Sequence, residues 1–89
     1  MSLSNCVAER AAAHRELGRC LEDVPSVHTI DHLGPELSPS GRPETEVIVG
    51  RTPRGTVPNA ATMKIVQSGL GIASIDPSNH PDYLRVVVR

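Results

Sequence analysis

Leu3, Val7, Ala11, His14, Leu17, Leu21 and Val24 recur at intervals of three and four, with most charged residues falling between them. A helix of 3.6 residues per turn brings those positions onto one stripe, so the pattern predicts an amphipathic helix ending before Pro25. Ser4 or Asn5 can cap its start, and Glu9 lies in its early turns, toward the positive end of the dipole. Ala8 and the run Ala11 to Ala13 favour this helix, whereas Gly18 weakens it by about 1 kcal/mol relative to alanine.

Beyond Pro25 the period shortens. Residues 26–33 include Val27, Thr29 and Ile30 and read as a strand, although Asp31 shares a face with Val27 and Leu33. Residues 34–43 hold three prolines, two glycines and two serines, a composition that predicts a surface loop free to move. Val47, Ile48 and Val49 sit between polar ends in 44–51, a strand with a buried middle. After a turn over 52–57, Ala61, Met63, Ile65, Val66 and Leu70 return to helical spacing. Gly69 is placed to stop that helix in the left-handed conformation, with Leu70 behind it. Residues 72–75 and 83–88 form a hairpin across a turn at 76–82, with Leu84, Val86 and Val88 on one face and Arg85 on the other.

The eight prolines all fall between these elements or at a helix start. The order is α-β-β-α-β-β, an α+β domain spanning 1–89. Its economical packing sets both helices on one face of a mixed or antiparallel sheet and leaves the other face open to a second copy.

Composition sharpens this picture at one point. The chain has 38% hydrophobic and 21% charged residues, ordinary for a globular domain, but Tyr83 is its one aromatic side chain. A core of Val, Ile, Leu, Ala and Met lacks the large rings that anchor many small domains. With 89 residues, folding buries only about 60–65% of the extended chain's surface. A partner that buries more is a natural supplement, so self-association as a homodimer is expected. No run of 18 apolar residues spans a membrane, and no basic stretch followed by an apolar one marks a secretory leader. Cys6 and Cys20 would lie about 21 Å apart along one helix, against the roughly 7 Å a disulfide tolerates. A cytoplasmic location without cofactors is the expectation.

Net charge is −1 overall. Residues 51–89 are nonetheless basic, setting Arg51, Arg54, Lys64, Arg85 and Arg89 against Asp76 and Asp82. Within them the loop 50–58 joins a strand to a helix and offers Arg51, Arg54, Gly55 and Thr56 to an anion. Amides at a helix start and a pair of guanidinium groups suit phosphate or carboxylate. The loop has neither the G-K-[ST] ending of a Walker loop nor the G-x-G-x-x-G spacing. His28, Asp31 and His32 make H-x-x-D-H, a metal-ligand spacing on a helix; on a strand the two imidazoles stand about 13 Å apart. No serine occupies a nucleophile elbow, and no carboxylate pair demands acid–base work. A pI near 6.4 and a lone tyrosine disfavour nucleic acid as the partner.

The expected function is therefore a non-enzymatic protein-interaction module that binds itself or an unidentified protein. The rival is anion, nucleotide or nucleic-acid binding through 50–58. Residues 44–51 or 83–88 would be the pairing strand if either lies at a sheet edge.

Overall fold

Six elements follow in the predicted order: α1 (Leu3–Glu22), β1 (Val27–Leu33), β2 (Glu44–Gly50), α2 (Asn59–Gln67), β3 (Ile72–Pro77) and β4 (Tyr83–Val88). The computed structural model describes residues 3–34 and 36–89, with side chains of α1 from Glu9 onward. Leu3, Ser4, Asn5, Cys6, Val7 and Ala8 thus have no described side chain, and Pro35 lies outside the described residues.

The four strands form one sheet in the order β1-β2-β4-β3, and every neighbouring pair is antiparallel. Strands 44–51 and 83–88, the two candidates for edge pairing, are both central. Their valine-rich middles explain this, because such strands bury best with a neighbour on each side. The edges fall to β1 and β3. Two hairpins, β1–β2 and β3–β4, are joined by α2, which carries the chain across β4 to the far edge.

Register decides which side chains meet the helices. Val47 pairs with Val86, Thr45 with Val88 and Val49 with Leu84, while Ile30 and His32 of β1 lie beside Val47 and Thr45. This face receives Leu17, Leu21 and Val24 from α1 and its following turn, and Val57, Ala61, Ile65 and Leu70 from around α2. Leu21, Val49, Val86 and Val88 are fully buried. The molecule is 16 Å across its thinnest dimension, the depth of one sheet and one helix layer, so among the described residues no element covers the second sheet face. There Asp31 stands opposite Glu46, and Arg85 lies 3.9 Å from Asp76.

Both helix stops behave as the residues predict. The Leu21 carbonyl accepts from the Val24 amide beyond α1. At the end of α2 Gly69 adopts φ +79, and its amide bonds to the Val66 carbonyl. The Ser68 hydroxyl then links the Leu70 amide to the Ile65 carbonyl. In the loop 34–43, Ser38 is buried and its hydroxyl meets both the carbonyl and the amide of Arg42. Among the described residues no helix is long and apolar enough to cross a membrane.

Candidate functional site

The helix-facing side of the sheet carries one polar residue in an apolar register. Thr45 continues the inward series with Val47 and Val49 and is fully buried. Its hydroxyl receives two imidazoles: Nδ1 of His14, from α1, lies 2.7 Å away, and Nδ1 of His32, from β1, lies 3.0 Å away. One hydroxyl has one proton to give, so with both rings neutral at least one histidine carries its own proton on Nδ1. His14 is 2% exposed, and its Nε2 has no hydrogen-bond partner among the described residues. Burial is the main cause that holds its pKa below the usual 6.5; His32 and Arg10 add to the depression and Glu44 opposes it. A neutral His14 in the fold makes its contribution complete above pH 6.5 and lost as pH falls below it.

His32 sits against α1 where the helix has no side chain. A Cβ on Gly18 would stand 2.6 Å from His32 Nε2, so the helix-weakening glycine is what admits the ring. Beside the histidines a cleft of about 250 Å³ is lined by Ala11, His14, Arg15, Leu33, Pro43 and Glu44, among others. Glu44 is 4% exposed, and its carboxylate accepts from Arg89 Nε at 2.6 Å and from the Ser40 hydroxyl at 2.7 Å. These bonds, Arg89's first, hold the Glu44 pKa below its usual value against the opposing effect of burial. That sign makes its stabilisation complete above pH 4.5 and lost as pH falls through the folded value. Arg89→Ala is expected to cost about 1.5–3 kcal/mol at neutral pH, the range for a lost hydrogen bond to a charged group, the Ser40 hydroxyl remaining as partner. The variant's acid unfolding should begin at higher pH than the parent's, which thermal melts between pH 3 and 7 would reveal.

The H-x-x-D-H residues are separated. The register shifts between Val27 and Thr29, so His28 occupies a bulge and loses the phase that would align it with His32. His28 lies on the open face, stacked on Tyr83 with ring centroids 4.9 Å apart, and His80 meets the same tyrosine at 5.0 Å. Asp31 is on the open face opposite Glu46, while His32 is across the sheet on Thr45. Among the described residues no three His, Cys, Asp or Glu side chains come together as a metal-ligand set.

In the loop 50–58 several backbone donors are already bonded. The Arg51 amide bonds to the Asp82 carbonyl, Thr52 to the Thr56 carbonyl and Gly55, at φ +79, to the Thr52 carbonyl. The Thr56 amide meets the Thr52 hydroxyl. Arg51 and Arg54 are exposed, and Asp82 shares the cleft of Arg51, which sets a carboxylate against any incoming anion.

A different feature stands out at the β3 edge. The large hydrophobic side chains left exposed among the described residues are Leu37, Met63, Val66, Ile72 and Ile75, and all but Leu37 belong to α2 and β3. Lys64, Gln67 and Ser68 of α2 face Ala13, Leu17 and Cys20 of α1. Helical geometry therefore turns Thr62 and Val66 away from α1. Val66 is 67% exposed and Ile75 49%. The two edges differ sharply in chemistry. β1 is guarded by His28, Thr29, Asp31 and His32, all exposed, and interleaved polar groups of this kind deter pairing with another chain. β3 presents Ile72, Ala73 and Ile75, and its one charge, Asp76, is matched by Arg85. The Ser78 amide bonds to the Tyr83 carbonyl, so in the antiparallel alternation Ile75 and Pro77 are the residues whose backbone faces outward. Neither this edge nor Thr45 is singled out by any sequence motif. Comparison with protein families, curated proteins and solved structures finds no match.

Proposed function

We propose that this chain is a protein-interaction module that receives a β-strand of its partner along β3, with the outer flank of α2 covering the added strand. The apolar edge carries this reading: four of the five large hydrophobics exposed among the described residues belong to α2 and β3, and the opposite edge, β1, is polar. Main-chain bonds to an edge supply affinity without sequence demands, and alternate side chains supply choice. Here Ile75 offers both its amide and its carbonyl, and Val66, Met63 and Ile72 offer apolar contacts. A patch of this kind on a small domain marks an interaction site more often than a neutral surface. The loop 50–58 is the weaker candidate, because several of its amides are already bonded and Asp82 stands beside Arg51.

The test uses a strand of known fit, a capped peptide copying residues 71–78, added in large excess to dilute isotope-labelled protein. Amide shifts confined to residues 71–77 and α2 are expected. Shifts along β1, or none in protein dilute enough to be monomeric, would overturn the reading.

A further inference from the structure

Resting on that reading, we infer that the strand received at β3 belongs to a second copy of this chain, paired antiparallel about a two-fold axis through Ile75. Three observations select this occupant and this register. Ile75 directs both its backbone groups outward, so Ile75 opposite the partner copy's equivalent residue exchanges two hydrogen bonds, the closely spaced kind of antiparallel pair. The same axis brings Asp76 of each copy beside Ser74 of the other, so each carboxylate meets a hydroxyl. Moving the axis by one residue to Asp76 would set two carboxylates face to face, and it would set the outward Ile75 against Pro77, which has no amide to give.

An axis perpendicular to the sheet also keeps both helix layers on one side. The two α2 helices then approach across the joint, and Val66, Met63 and Ile75 of each copy close over it. The product is a continuous eight-stranded sheet whose outer edges are both the polar β1. A stable interface takes about 800 Å² from each partner. The chain exposes 5783 Å² in all, so such an interface would take about one seventh of it. Such closure is isologous, so it ends at two copies rather than growing into a filament.

Light scattering on a size-exclusion column, at several concentrations, reads the mass directly. The wild-type chain should elute as a dimer near 19 kDa, twice the 9.5 kDa chain. Ile75→Lys and Val66→Glu each alter an exposed side chain, and both should raise the dissociation constant about thirtyfold or more, as hot-spot residues do. Thr29→Lys on β1 should leave the mass unchanged, and circular dichroism confirms that all three variants fold. A wild-type monomer that still binds the 71–78 peptide at β3 would overturn the second copy while leaving the strand-docking reading intact. A monomer that ignores the peptide would overturn both. A dimer indifferent to Ile75→Lys and Val66→Glu would place the interface elsewhere and overturn the inference.

Discussion

Leu21→Ala is expected to cost about 2–5 kcal/mol, enough to leave a large fraction of this domain unfolded at 37 °C. Leu21 is fully buried where α1 crosses the sheet, in a core of small aliphatic side chains. No aromatic ring in that core can swing to fill the space, since Tyr83 lies on the open face stacked with His28. The neighbours Val47, Val49 and Val86 are β-branched and stiff on a paired strand, so the cavity collapses only in part. Val66→Ala, with its side chain in solvent, should change stability by less than about 0.5 kcal/mol. Urea melts of the two variants side by side give the contrast.

Thr45→Val is the second large effect, and it works through polarity rather than volume. Valine has nearly the shape of threonine, so packing is kept while the hydroxyl shared by His14 and His32 is lost. His14 would then have two buried nitrogens without partners, and a buried group left unbonded costs about 1–3 kcal/mol. His32, largely exposed, can turn to water. The loss should therefore be traced to His14, and the double variant Thr45→Val, His14→Leu should recover most of it by removing both members of the pair. The parent should also weaken below pH 6.5, because His14 is kept neutral by the fold and gains a proton more readily once unfolded. In the double variant that part of the pH dependence should vanish, while the part due to Glu44, below pH 4.5, remains. Denaturation curves at pH 3.5, pH 5 and pH 7.5 for the three proteins separate these contributions.

Much of the architecture is legible in the chain because local signals agree. The stripe of α1, the left-handed Gly69, and the alternation of Leu84, Val86 and Val88 each follow from the period of a helix or a strand. Prolines sit only where the elements end. Sheet order is not a local property: nothing within 83–88 states that β4 inserts between β2 and β3, and its central place reflects burial on both flanks. The histidines illustrate the same divide. His14 occupies a core position of the α1 stripe and Thr45 the inward phase of β2, so each is visible as a polar residue in an apolar series. Their meeting needs the crossing of α1 over the sheet, which depends on tertiary packing. The bulge at His28 inverts the phase of H-x-x-D-H, and no residue there announces it. The loop 50–58 lies between β2 and α2 as its residues predict, and its glycine and threonines close part of the turn on itself.

The β3 edge became visible only once both edges were known, since its apolar character matters by contrast with β1. Ile72 and Ile75 read in sequence as ordinary strand residues of a buried hairpin. Their exposure follows from the place of β3 at the sheet edge, with a neighbouring strand on one side only. The backbone of Ile75 is thus the point on which the functional account turns.

Amide hydrogen exchange of Ile75, followed as a function of protein concentration, tests that account most directly. Strand pairing at β3 predicts exchange that slows severalfold or more as concentration rises, with amides of the β1 edge unaffected. An Ile75 amide that exchanges at the same fast rate at every concentration, and with the 71–78 peptide present, would contradict it.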